Sequence, residues 1–216
     1  MKKTRKNSII ITVSLLLAFV IWTLLVKIVD VEAIGPNNTK VGFSTLNGAF
    51  HAFTGVNMML YAITDWLGLV PVAVVLGYGF FGLVQWIKRK SILKVDRDII
   101  ALGIFYVAVV GVYVLFEYVV INYRPILIEG YLEASYPSST TMLVACVMPT
   151  AMMRIKKRIR NSILRRTTLA LIAIFIGFMV ISRLISGVHW LSDIVGGILV
   201  SSGLVSAYFF ATGFDN

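Results

Sequence analysis

Apolar residues dominate six stretches of this chain, at residues 9–29, 66–87, 99–120, 138–153, 168–185 and 191–211. Short polar or basic segments divide them. A helix needs roughly 20 mainly apolar residues to cross a bilayer, and most of these stretches reach that length. The pattern predicts an all-α, polytopic membrane helix bundle with six transmembrane spans. The fourth stretch is the shortest and carries Pro149, which a membrane helix tolerates when neighbours satisfy the freed carbonyl. Residues 30–65 read differently. Gly35-Pro36-Asn37-Asn38 marks a turn. Residues 46–63 then mix Phe50, Phe53, Met58, Met59 and Leu60 with polar positions, which predicts an interfacial helix in the first outer loop. The first stretch is longer than the apolar core of a cleaved signal, so it is read as a retained helix. Once the spans are counted, residues 1–216 leave no room for a second soluble domain, and a single membrane-embedded domain is expected.

Composition agrees, since 58% of the 216 residues are hydrophobic and only 14% are charged. A soluble domain of this size lacks the polar surface to cover so much apolar area. The lone cysteine, Cys146, lies in an apolar stretch and is expected to be an inert core residue. The net charge of +10 invites a nucleic-acid reading, but its distribution argues for topology. Sixteen of the twenty basic residues fall in three clusters: Lys2 to Lys6, Lys88 to Arg97, and Arg154 to Arg166. With six spans all three lie on one side, which the positive-inside rule assigns to the cytoplasm together with both termini. No nucleic-acid partner is expected.

Lys27, Lys40, Arg124 and Arg183 remain. Lys27 sits at a span end, where it can snorkel, and Lys40 lies in an outer loop. Arg124 follows the third span in Asn122-Tyr123-Arg124-Pro125, and Arg183 closes the fifth. His189 and Asp193 open the sixth, while Pro137-Ser138-Ser139-Thr140 opens the fourth. On this topology all of them meet at the outer membrane face. Charged groups at such depth are costly and usually functional. Their chemistry suits phosphoryl transfer. Guanidinium forks hold phosphate oxygens, and a helix N-terminus such as that at Ser138 and Ser139 attracts anions. An imidazole acts as a nucleophile when a carboxylate holds its other nitrogen. Asp193 lies one helical turn beyond His189, on the same face.

Ser182-Arg183, five residues, His189, three residues, Asp193 resembles the third signature motif of the type-2 phosphatidic acid phosphatase superfamily. Asn122-Tyr123-Arg124-Pro125 is similar to the end of that family's first motif, and Pro137-Ser138 to the start of its second. The resemblance implies that Arg124 and Arg183 bind phosphate, to which the turn at Ser138 and Ser139 is expected to add donors. It implies that His189 forms a phosphohistidine assisted by Asp193. It further implies that no metal or other cofactor is needed and that the partner is a lipid phosphate or diphosphate within the cell membrane. Two positions depart from the family pattern. Glu117 stands where the first motif carries lysine, and Thr140 stands where the second carries histidine. A threonine hydroxyl cannot act as a general acid near neutral pH, a function typically worth about 10²–10⁴-fold. A diphosphate, whose leaving group is better, suits such a site more than a monoester. Glu117 is expected to pair with Arg124 two turns along, or to replace the missing acid or base. His51, the only other histidine, can fold over the site from the outer loop. Glu129 and Glu133 are expected to be solvated, Gly196-Gly197 to serve close helix packing, and Trp66, Trp86 and Trp190 to belong to interfacial belts. The expected function is a membrane lipid phosphatase or diphosphatase. The alternative is a related scaffold that binds lipid phosphates or a partner without turnover.

Overall fold

The computed structural model describes residues 2–212, with side chains from residue 7 onward. The side chains of Lys2, Lys3, Arg5 and Lys6 therefore lie outside the described part. The described chain is all-helical. Its helices are α1 (Lys2–Ile28), α2 (Ser44–Thr54), α3 (Met58–Leu67), α4 (Leu69–Arg89), α5 (Arg97–Tyr118), α6 (Ser139–Arg158), α7 (Ser162–Ile185) and α8 (Leu191–Thr212). Among the described residues five helical segments, against the six expected, are long and apolar enough to cross a membrane: Asn7–Ile28, Met58–Arg89, Arg97–Tyr118, Ser162–Ile185 and Leu191–Thr212; α6, in the place of the expected fourth span, is not one of them.

Where boundaries differ from expectation, local chemistry explains it. The stretch expected to be one interfacial helix is two helices, α2 and α3. Gly55 adopts φ +64° and Asn57 caps α3 by accepting from the Leu60 amide, so the chain turns at residues 55–57. α3 then runs almost directly into α4, because Gly68 keeps right-handed helical angles between them. α6 continues past the apolar stretch through Lys156, Lys157 and Arg158. Lysine and arginine are good helix formers and favour a helix C-terminus. α7 begins six residues before the expected start because the Asn161 side chain accepts from the Ile163 and Leu164 amides.

α6 is enclosed by α4, α5, α7 and α8. Its buried face includes Met142, Val144, Cys146, Val147 and Met148. Cys146 is fully buried in the main core with Phe19, Leu102, Phe105, Val200 and Tyr208. α1 lies along α8, held by the pair Thr12 Oγ1 to Ser206 Oγ at 2.8 Å and by Trp22 Nε1 donating to the Ser192 carbonyl at 3.1 Å. A side chain at Gly203 would meet Leu16 at 2.6 Å, and one at Gly196 would meet the Tyr136 ring at 2.6 Å. The close helix packing expected at Gly196-Gly197 is found at Gly197, against Thr141 of α6, whereas Gly196 packs on Tyr136 of the segment before α6. Trp190, expected in a belt, is instead 2% exposed. Its Nε1 donates to the Tyr123 carbonyl at 2.7 Å, which fastens the start of α8 to the loop after α5.

The α1–α8 contact yields a test. Gly203→Val forces the helices apart, since overpacking a close contact typically costs about 1–3 kcal/mol. The expected result is a lower thermal midpoint in detergent than that of Gly111→Val, whose site has open space.

Candidate functional site

Three pieces of chain build the polar cluster. The first is the segment between α5 and α6. Its backbone doubles back on itself: the Arg124 amide donates to the Glu133 carbonyl and the Ser135 amide to the Asn122 carbonyl, both at 3.0 Å. The turn is made at Glu129 and Gly130, which both take positive φ. The second piece is the turn from Ser186 to Trp190 between α7 and α8. The third is the first turn of α8, which carries Asp193.

Asp193 has no exposed surface. Its Oδ1 accepts from Asn122 Nδ2 at 3.1 Å, its Oδ2 accepts from the Trp190 amide at 3.0 Å, and its carbonyl accepts from the Ser138 amide at 3.1 Å. One residue thus joins all three pieces and the start of α6. Ser138 caps α6, its Oγ accepting from the Thr141 amide. Asn47 of α2 reaches the same place, donating to Ser192 Oγ at 2.9 Å and accepting from the Ser192 amide at 3.1 Å.

His189 is 2% exposed. Arg124 Nη1 lies 3.3 Å from its Nε2. A guanidinium can only donate, so Nε2 is the acceptor and Nδ1 carries the ring proton. That Nδ1 faces Asp193 Oδ2 at 3.8 Å, an electrostatic contact longer than a hydrogen bond. Burial pushes His189 down to about 4, against the pull of Asp193 and helped by the charges of Arg124 and Arg183. The imidazole is therefore neutral at pH 7.

Arg124 is itself paired. Its Nε lies 2.9 Å from Glu133 Oε2. Glu133, in the loop and 43% exposed at its side chain as expected, also holds the arginine, and Glu117, expected to do so, does not. Glu117 is exposed and interacts with Tyr113 one turn back. It lines a small crevice with Tyr113, Ser139 and His189. Arg183, at the end of α7, is buried at 1% exposure. α3 supplies its partners: Nη1 donates to Thr64 Oγ1 at 3.1 Å and to the Tyr61 carbonyl at 3.4 Å. Its Nη2 lies 3.5 Å from Asp65 Oδ1, and the guanidinium carbon is 4.6 Å from the centre of the Tyr61 ring. Its Nε is buried without a hydrogen-bond partner. Ser139 and Thr140 line a cavity of about 370 Å³ with Asp65, Leu69, Val110 and Tyr113.

His51 braces the turn that carries His189. Its Nε2 donates to the Gly187 carbonyl at 3.1 Å and its ring stands 5.5 Å from that of Trp190. Gly187 takes φ +71°, and a side chain there would meet the Gly55 carbonyl at 2.0 Å. The bend between α2 and α3 therefore packs directly on this turn, with the Asn57 amide donating to the Ser186 carbonyl at 3.0 Å. Asn122, Glu133, Tyr61, Thr64 and Asp65 join the set that sequence reasoning named. The only signal for Asn122 was its place beside Arg124, and for Glu133 the Glu129-Gly130 turn midway between it and Arg124.

Residues 119–215 match the model of the PAP2 superfamily. The match begins after Glu117, so the contributions of α2 and α3 lie outside it. The chain is also similar to the crystal structure of the first transmembrane PAP2-type phosphatidylglycerolphosphate phosphatase from Bacillus subtilis. The identity is 22% and the TM-score 0.56, over 95% of this chain and 96% of that one. That likeness carries the fold. Among curated proteins none matches.

Two outcomes follow from the geometry. Asn122→Leu strips a donor from a fully buried carboxylate and is expected to cost roughly 1–3 kcal/mol, read as a lower thermal midpoint in detergent. The second concerns pH. His189 is held neutral by the fold, and its value falls from an unfolded 6.5 to about 4. Its contribution to stability is complete above pH 6.5 and is lost as pH falls toward 4, a change of a few kcal/mol. Unfolding midpoints measured across that window are expected to fall more steeply for the native chain than for His189→Asn.

Proposed function

We propose that this chain, whose residues 119–215 match the PAP2 superfamily, is a membrane lipid phosphatase that works through a phosphohistidine. The observation that carries the reading is the position of His189 between Arg124 and Asp193. Its Nε2 lone pair lies 3.3 Å from a cationic Arg124 Nη1 while its Nδ1 proton faces a buried carboxylate. A phosphoryl group drawn to Arg124 would be presented to that lone pair. Arg183 neutralises the equatorial oxygens as charge develops, and the amides at the start of α6, near Ser138 and Ser139, add donors. His189 Nε2 forms its bond to phosphorus as the bond to the leaving oxygen breaks. Asp193 stabilises the imidazolium that results. Water then attacks phosphorus, the bond to Nε2 breaks, and inorganic phosphate leaves.

Thr140 supplies no acid for the first step, so a phosphate leaving from a lipid diphosphate suits the site better than an alkoxide from a monoester. We assign the water's proton in the second step to Glu117, which shares a crevice with His189 and Ser139. A bundle of six spans with α6 as the fourth, both termini in the cytoplasm and the site at the outer face, is our reading of the topology; the basic clusters support it. On that reading the chain is one membrane-embedded domain.

A second reading, a scaffold that binds lipid phosphates or a partner without turnover, rests on Glu117 and Thr140, where the family pattern is broken. Phosphate release by purified protein in detergent separates the two. Substrates are undecaprenyl diphosphate, phosphatidylglycerophosphate and phosphatidate. Release is expected for at least one, fastest for the diphosphate, and lost in His189→Ala; activity indifferent to that substitution would end the enzymatic reading. Thr140→His is expected to raise turnover of monoesters by about 10²-fold, and of the diphosphate by less.

A further inference from the structure

At the end of α6 remote from His189 there is a second cationic site. Twenty residues separate its ends, about 30 Å along the axis. Near the middle of the bundle α4, α6 and α7 close together through Val74, Met148, Ile172 and Met179. Toward the basic loops they leave a slot of about 470 Å³, within the range of roughly 300–1,000 Å³ typical of ligand sites. Its walls are apolar, with Phe81, Met148 and Ile155 among them. Gly77 opens the α4 wall, with no atom within 4 Å of where its side chain would stand.

Two arginines of the same slot are cationic. Arg154 is 4% exposed. Its Nη1 binds Asp98 and its side chain also interacts with Tyr78, which lines the slot; its Nη2 is buried without a hydrogen-bond partner. Arg158 is exposed and lies over the Phe81 ring, 5.7 Å from its centre. Asp98 takes one edge of Arg154 and Asp96 acts on Arg158 from a distance. From Arg154 to Arg166, however, the chain carries seven basic residues and no acidic one, so the mouth of the slot stays cationic.

We propose that this slot holds an acyl chain of an anionic phosphodiester phospholipid from the leaflet at the basic end, with its phosphate on Arg158 and toward the unpartnered Nη2 of Arg154. An apolar slot ending in a buried guanidinium edge matches a lipid with a charged head. The inference rests on the membrane reading and not on turnover at His189.

The test uses the full chain in nanodiscs of phosphatidylcholine doped with phosphatidylglycerol, a diester without a terminal phosphate to release. Native mass spectrometry reads the lipid retained. Native protein is expected to keep one phosphatidylglycerol. Arg158→Gln is expected to lower retention roughly fivefold, as one surface charge is worth about 1 kcal/mol against anionic lipid. Gly77→Leu, which fills the slot at a position with open space, is expected to abolish retention. Lys94→Gln, at the same end but outside the slot, and His189→Ala are expected to keep it. Equal loss in Lys94→Gln and Arg158→Gln would reduce the effect to general attraction and overturn the proposal. So would retention unchanged in Gly77→Leu, or retention lost in His189→Ala.

Discussion

A carboxylate removed entirely from water must be matched by donors, or the fold that buries it does not form. Asp193 is such a group, and its donors come from different places in the chain. Asn122 belongs to the segment after α5 and the Trp190 amide to the turn before α8. The Asp193 carbonyl in turn takes the Ser138 amide at the start of α6. Satisfying one residue therefore fixes how three chain segments meet. His189 is oriented as a by-product, since the turn that brings the Trp190 amide to Asp193 also carries the imidazole.

The arginines are set by the same economy of buried charge but from opposite sides. Arg124 is held within its own hairpin by Glu133, nine residues on, so its position depends on local backbone pairing. Arg183 depends on α3, over a hundred residues earlier in the chain, through Thr64, Tyr61 and Asp65. The segment matched by the PAP2 model therefore does not hold its own second arginine. The helices before it complete the cluster, and the bend at Gly55 supports the turn at Gly187.

Helical periodicity made some of this legible. His189 and Asp193 were readable as a pair from their spacing, but His189 lies in the turn before α8, so the Trp190 amide on Asp193, not a shared helix face, brings them together. The apolar stretches were readable because lipid-facing helices cannot carry charge. What escaped depended on non-local pairing. Glu133 looked like a solvated loop residue because hairpin register, not helical spacing, brings it to Arg124. Glu117 looked like the partner of Arg124 because two helical turns separate them in sequence, yet α5 ends at Tyr118 and the chain then leaves the helix axis. Trp190 has the composition of a belt residue, and only the meeting of α8 with Tyr123 shows it as an internal fastener. The bend between α2 and α3 was marked by Gly55 and Asn57 but masked by the apolar residues on either side.

α6 shows why hydropathy alone undervalues a helix enclosed by others. A helix that faces lipid must be apolar all round, but one enclosed by four others can carry polar groups wherever neighbours pair with them. α6 buries Thr150 and Arg154 along with Met142, Met148, Val144 and Val147. Thr150 pairs with Tyr106 and with the Val147 carbonyl, and Arg154 binds Asp98. That enclosure is what lets one helix present amide donors beside His189 at its first turn and guanidinium groups at its last. Substituting its polar residues with leucine to suit a bilayer would remove the reason it occupies the centre.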